Sequence, residues 1–271
     1  MDYIDIEKSI VKKFRKTIWC RFVRCINEFD LIQENDSIMV CISGGKDSML
    51  LAKCMEELHR HSKFKFDVKY VVMNPGYRKE NMDLLKENLD KLHIDAEIFD
   101  SDIFSVIDKI SKEEPCYLCA RMRRGVLYNK AKELGCNKIA LGHHFDDVIE
   151  TILLNILYAG EYKTMMPKLH STNFPGIDLI RPFYYVHESD IKDWVKYNEL
   201  KFLNCACSVT DGSIEHLSKR KEIKELINNL RKINKNVDIN ILRSSENINL
   251  DSILGYKINH QKHSFLEDYD K

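Results

Sequence analysis

Val40-Cys41-Ile42-Ser43-Gly44-Gly45-Lys46-Asp47-Ser48 ends a short apolar run that begins at Ile38 and opens a stretch of different periodicity. The run Ile38 to Ile42 is too brief for a helix and is bounded by polar residues, so it reads as a buried parallel strand. Beyond it Met49, Leu50, Leu51, Cys54, Met55 and Leu58 recur on one helical face. A strand that ends in Ser-Gly-Gly and opens a helix leaves backbone N–H groups at the positive end of the helix dipole, which is a site for an anion. Gly44 and Gly45 let the backbone approach an oxyanion, Lys46 adds a charge, and Ser43 and Ser48 add hydroxyls. Asp47 is the odd member. A carboxylate in a phosphate cradle is repelled by its ligand unless a divalent cation lies between them, so Asp47 points to Mg²⁺. The Walker spacing G-x-x-x-x-G-K-[ST] is absent.

The chain has 271 residues, enough for one large α/β domain with extensions. Lys+Arg and Asp+Glu both number 42, so any nucleic-acid surface must come from local patches rather than net charge. No apolar run approaches 20 residues and the N-terminus begins Met1-Asp2-Tyr3, which argues against a membrane span and a signal peptide and for the cytoplasm. Nine cysteines in a large domain do not look like a disulfide framework. Cys20, Cys25, Cys41, Cys54 and Cys136 sit singly in apolar patterns and are expected to be buried, inert thiols. Cys116, Cys119, Cys205 and Cys207 are closely paired and need another explanation.

Apolar residues at Ile10, Phe14, Ile18, Phe22 and Ile26 predict an amphipathic helix from Ile6 to Phe29. Its other face carries Lys12, Lys13, Arg15, Lys16, Arg21 and Arg24, either a solvated face or a contact to phosphates. After the first strand come Phe66 to Met73, Ala96 to Phe99, Ile139 to Leu141 and Ile177 to Ile180, alternating with helices. That alternation predicts a Rossmann-like, doubly wound parallel sheet of five strands. The helix after the fourth strand is expected to bury Ile149, Ile152, Leu153, Ile156 and Leu157. The chain thus divides into an N-terminal helix (1–34), an α/β domain (35–200), a cysteine-containing loop and helix (201–235) and a weakly structured tail (236–271).

In such a sheet, ligands bind outside the carboxyl ends of the strands where strand order reverses. The first strand ends in Ser43 to Ser48 and the fourth in Gly142-His143-His144-Phe145-Asp146-Asp147, so the two loops can face one crevice. Gly142 suits close packing of an adenine or ribose, Asp146 and Asp147 suit Mg²⁺ or a substrate base, and His143 and His144 suit phosphate. A helix cap at Asp146 and a dinuclear metal site on the two histidines and two aspartates are the alternatives. The cysteine pairs fit structural zinc on four thiolates or a reactive [4Fe–4S] cluster on three, and spacing leaves both open. Arg121, Arg123 and Arg124 follow the first pair.

The sequence from Ser43 to Ser48, SGGKDS, resembles the PP-loop of ATP pyrophosphatases, which release pyrophosphate and transfer AMP to a substrate oxygen. Taken with Cys-Tyr-Leu-Cys-Ala-Arg-Met-Arg-Arg-Gly from Cys116 to Gly125, Leu-Gly-His-His-Phe-Asp-Asp from Leu141 and Ile-Arg-Pro from Ile180, the pattern is similar to the tRNA 2-thiocytidine synthetases, the TtcA group, over roughly residues 30 to 232. The resemblance implies ATP- and Mg²⁺-dependent thiolation of the cytidine at position 32 of the tRNA anticodon loop, a [4Fe–4S] cluster, a homodimer, and a sulfur donor such as a cysteine desulfurase. It implies nucleotide binding by Ser43, Gly44, Gly45, Lys46, Asp47, Ser48, Gly142 and His143, and catalysis by Lys46, Asp47, Asp146 and Asp147. Cys116 and Cys119 match the family's first pair. Cys205 matches its third ligand, after Asn204 where the family commonly has proline. The family often has C-x-x-C there, whereas this chain has Cys205-Ala206-Cys207, which makes Cys207 an alternative or additional ligand. Two rivals stand beside this reading: a PP-loop enzyme with structural zinc and another adenylate-dependent reaction, and a nucleotide-binding Fe–S sensor without turnover.

Overall fold

The computed structural model describes residues 2–101, 103, 115–203, 214–267 and 269, with the backbone alone for 115–120 and 214–218. The predicted N-terminal helix is in three pieces: α1 (Tyr3–Val11), a π-helical turn over Arg15–Trp19 and α2 (Cys20–Glu28). Ile6, Ile10, Phe14, Ile18, Phe22 and Ile26 are spaced by four, and in an α-helix each such step over-rotates by about 40°. The wider bonds from Phe14 N–H to Ser9 O (2.9 Å) and from Trp19 N–H to Phe14 O (3.3 Å) take up that drift, and all six side chains stay buried. Cys20, on the other side of this stripe, is exposed rather than buried.

The α/β alternation follows: β1 (Ser37–Ile42), α3 (Lys46–His61), β2 (Asp67–Asn74), α4 (Lys79–Leu92), β3 (Ala96–Asp100), α5 (Pro115–Glu133), β4 (Lys138–Ala140), α6 (Phe145–Leu154), β5 (Lys168–His170), β6 (Asp178–Ile180) and α7 (Glu188–Tyr197). Strand order is β3-β2-β1-β4-β6-β5. The first five in that order are mutually parallel, as the sequence predicts, and β5 pairs antiparallel with β6. The sheet therefore has six strands rather than five. The added strand, Lys-Leu-His, is short and at an edge, where only one side needs to be paired and no apolar run is required.

Alternate residues of the strands serve two cores. Ile38, Val40, Ile42, Ala140 and Ile180 join the N-terminal helices, α3 and α6 on one face. Met39, Val71, Ile139 and Leu179 join Tyr128 and Ala131 of α5 on the other. Beneath β1 and β4, buried Lys138 donates to Asp36 Oδ2 (2.5 Å) and Leu31 O (2.9 Å), so its charge is paired where it is out of water.

A π-helical turn, Asn155–Ala159, continues α6 to Gly160, whose positive φ of 62° ends it. This turn rotates Ile156 and Leu157, predicted core residues, to the surface. Then α8 (Ile214–Ile233) runs back antiparallel to α6: Lys219 lies by Tyr158 near one end and Arg231 by Asp146 at the other. Beyond residue 235 the chain is not the weakly structured tail that its polar composition suggests. It forms α9 (Val237–Ser244), anchored by buried Leu242 and by Asp238 on Arg231, and a hairpin of β7 (Gly255–Ile258) and β8 (Gln261–Ser264).

Candidate nucleotide and sulfur-transfer site

The reversal of strand order falls between β1 and β4, and the two loops that the sequence singles out meet there. Gly44, with φ of +82°, turns the chain out of β1, and Gly45 is the residue before α3. No side chain caps this helix, so its first-turn amides are left for an anion. Within the loop, Ser48 Oγ accepts from Ser43 N–H (3.1 Å) and donates to Gly45 O (3.0 Å), with Ser43 Oγ 3.2 Å away. Those bonds fix the shape of the cradle. Lys46 Nζ lies 3.1 Å from Asp47 Oδ2 and 3.3 Å from Glu188 Oε1. Asp47 Oδ1 is buried and has no hydrogen-bond partner. An acceptor orphaned beside an anion cradle fits a divalent cation.

Gly142 lies against this turn. A Cβ there would stand 3.0 Å from Asp47 C, 3.1 Å from Ser48 N and 3.2 Å from Asp47 O. The missing side chain thus lets the loop after β4 pack against the backbone of α3. His144 and Asp147 cap α6 reciprocally: Asp147 Oδ2 accepts from His144 N–H (3.0 Å) and His144 Nδ1 from Asp147 N–H (3.4 Å). Both oxygens of Asp146 are engaged, Oδ2 by Glu188 N–H (2.7 Å) and Oδ1 by Arg231 Nη2 (2.6 Å). Burial works to raise the Asp146 pKa, but those two donors outweigh it and hold the group below the usual carboxylate range. Glu188 is likewise depressed against burial, by Lys224 and Lys192 and by Lys46. With these partners, His143, His144, Asp146 and Asp147 do not converge as a dinuclear centre; among the described residues no group of three or more His, Cys, Asp or Glu could hold a metal ion.

Burial chiefly, with repulsion from Arg181 and Arg220, pushes His143 down to about 4 against the attraction of Asp147. The imidazole is neutral near pH 7 and brings no charge to a phosphate. Its folded pKa lies below the ordinary 6.5, so the unfolded chain takes up the proton first. The stability that His143 contributes is complete above about pH 6.5 and is lost as pH falls towards 4, a window above the one in which Asp146 and Glu188 titrate. Urea unfolding at a series of pH values should therefore show a shallower decline over this window in His143→Gln than in the parent. Equal slopes would remove the assignment.

Cys116 and Cys119 fall in the first turns of α5. Their side chains, with Cys205 and Cys207, lie outside the described residues. Described residues near each pair are nevertheless tied to the phosphate loop. Arg123 of α5 donates to Tyr77 Oη (3.3 Å), and Tyr77 O–H donates to Ser43 O (3.3 Å). Leu203 N–H, two residues before Cys205, donates to Gly44 O (3.2 Å), and its Cδ1 lies 2.6 Å from where a Gly44 Cβ would stand. At the end of β6, Arg181 donates to Met166 O while its Nε is buried without a partner, and burial lowers its pKa to about 10. Sequence reading missed Glu188, Tyr77, Leu203 and Arg231, since each reaches the site only through a contact distant along the chain.

The open amides of α3, the orphaned Asp47 oxygen and the reversal of strand order define a PP-loop protein, and residues 15–241 match the PP-loop domain family. Relatives include the tRNA-cytidine(32) 2-sulfurtransferase of Tolumonas auensis, 38% identical over 221 residues, 80% of this chain and 70% of that protein. The protein of the same name from Bdellovibrio bacteriovorus is 35% identical over 247 residues, 90% of this chain and 92% of that one. The chain belongs to the tRNA-cytidine(32) 2-sulfurtransferase family, a family of transferases. Among solved structures, the U34-tRNA thiolase NcsA from Methanococcus maripaludis with its [4Fe-4S] cluster matches with a TM-score of 0.66 at 22% identity, over 83% of this chain and 76% of that one. At that identity the likeness is one of fold.

Proposed function

We propose that this protein is an ATP-dependent tRNA sulfurtransferase that replaces the C2 oxygen of a tRNA cytidine, at position 32, with sulfur. The observation that carries the reading is that residues close in sequence to both cysteine pairs are tied to the phosphate loop, Arg123 through Tyr77 after the first pair and Leu203 just before the second. An activating nucleotide and a sulfur source then serve one crevice.

The first-turn amides of α3 and Lys46 would hold the ATP phosphates, and Asp47 Oδ1 would hold Mg²⁺, which would neutralise phosphate charge. A cytidine flipped out of the loop enters the crevice, because its C2 oxygen is shielded in a stack. That oxygen attacks the α-phosphorus, pyrophosphate departs, and the oxygen becomes part of an adenylate. Asp147, fixed by its cap on His144, presents a carboxylate to the base, while Asp146 positions Glu188 and Arg231. Cys116, Cys119 and Cys205, with Cys207 as alternative or additional ligand, would hold a [4Fe–4S] cluster, which would supply the sulfide for C2 while the original oxygen leaves in AMP. The working form is a cytoplasmic homodimer served by a donor such as a cysteine desulfurase. Among the described residues no helix is long and apolar enough to cross a membrane.

The test is anaerobic purification with iron, sulfide and zinc measured per chain, followed by incubation with unmodified tRNA, ATP, Mg²⁺ and sulfide and nucleoside mass spectrometry. About four irons and four sulfides with 2-thiocytidine formed only when ATP is present is the expected result. One zinc and no iron after reconstitution would sink the cluster assignment. ATP binding without pyrophosphate release on any tRNA would leave a sensor.

A further inference from the structure

The far end of α6 carries a surface that the chemistry above leaves unused. Leu157 and Tyr158 are 56% and 46% exposed, and Tyr162 and Met166 on the returning loop are 44% and 51% exposed. The two tyrosines are held rather than loose. Tyr158 O–H donates to Glu222 Oε2 at 2.5 Å, and the Tyr162 hydroxyl lies 2.6 Å from Ser244 Oγ. Lys219 Nζ sits 5.6 Å over the Tyr158 ring, and Arg220 and Lys221 follow it at the surface of α8. The loop that bears Tyr162 runs back to the crevice: Asn155 Nδ2 donates to Lys163 O (2.9 Å), and Arg181, at the end of β6, donates to Met166 O.

An exposed tyrosine with a lysine over its ring, and a second exposed tyrosine four residues on held by its hydroxyl, suit one kind of occupant. Every unpaired base has a face to stack, and the phosphate beside it answers the ammonium group. An apolar protein face would instead have to desolvate Lys219, Arg220 and Lys221. We propose that Tyr158 and Tyr162, with Lys219, Arg220 and Lys221, form a docking surface for unpaired nucleotides of an RNA outside the catalytic crevice. This rests on the reading that the substrate is tRNA and adds where its loop is held. Asp146 and Tyr158 are separated by twelve residues, about 18 Å along a helix. The surface therefore grips nucleotides away from the reacting base and acts on affinity rather than on chemistry.

The experiment measures binding of unmodified tRNA to the full-length protein over a range of KCl, together with KM for tRNA and kcat for thiolation, with ATP binding as the check of fold. Tyr158→Ala combined with Tyr162→Ala should weaken tRNA binding at least about tenfold and raise KM with little change in kcat. Tyr158→Phe should lose much less affinity than Tyr158→Ala, because the stacking ring is kept and only its anchor on Glu222 is lost. Lys219→Ala with Lys221→Ala should lower the slope of log K against log salt by roughly 1.5. Parent-like tRNA affinity in the double tyrosine variant overturns this surface and leaves the tRNA reading standing. A parent protein that binds no tRNA overturns both. A double tyrosine variant that keeps its affinity but changes oligomeric state in sedimentation assigns the face to a second copy of the chain and overturns the RNA surface.

Discussion

Serine at both Cys116 and Cys119 is expected to lower tRNA thiolation by at least about a hundredfold, the scale on which metal sites respond even to losses around their ligands. ATP binding should be unchanged. The two effects separate because the cysteines and the phosphate loop lie on different elements. The cradle is shaped by bonds inside the loop, Ser43 N–H to Ser48 Oγ and Ser48 to Gly45 O, and none of them involves α5. The link from α5 to the loop runs through Arg123, four residues past Cys119, and survives the change. Serine in the first turn of a helix is well tolerated, so a fall in activity cannot be assigned to unfolding if the circular dichroism and ATP titration match the parent. Iron and acid-labile sulfide should fall together with activity. Undiminished 2-thiocytidine from the double variant would end the sulfur-transfer role of this pair.

Much of the fold is legible from short apolar runs, because Ile38–Ile42 of β1, Val71–Met73 of β2 and Ile139–Ala140 of β4 lie inside the sheet and are buried or nearly so, which requires apolar side chains. The anion cradle is legible for a similar reason: Ser-Gly-Gly-Lys at a strand-to-helix junction has few other uses. What escapes are features decided by distant partners. Asp146 reads as a candidate metal ligand or a helix cap, yet its oxygens are taken by Arg231, 85 residues on, and by the Glu188 amide, 42 residues on. That Gly142 packs against the first turn of α3 is another such feature, since nothing local in the sequence says so. Leu157 reads as core because its apolar spacing continues that of α6, and only the π-helical turn moves it to solvent. The tail reads as loose because α9 depends on one buried leucine and an ion pair with α8 rather than on a long apolar stripe.

The position of Gly142 sets up the other large effect. Alanine there is expected to cut kcat/KM for ATP about tenfold, a fraction of the roughly hundredfold loss that about 1 Å of misplacement at a reacting centre brings. The Cβ would stand 3.0 Å from Asp47 C and 3.1 Å from Ser48 N, and these are backbone atoms that cannot swing aside. Either the loop after β4 or the first turn of α3 must give by a few tenths of an ångström. That turn carries Lys46, Asp47 and Ser48, so the first-turn amides move with it, while the loop after β4 leads into the first turn of α6, which carries Asp147. Stability should change far less than activity, because the buried apolar contacts of both helices are untouched. Gly125 is the control. It lies within α5 with nothing within 4 Å of its added Cβ, so alanine should stabilise the protein by about 0.5–1 kcal/mol and leave ATP kinetics alone. ATP titration and urea unfolding of the two variants side by side decide the matter. Parent-like kinetics in Gly142→Ala would mean that the two loops are not held in register by this contact, and the crevice would need another explanation for its geometry.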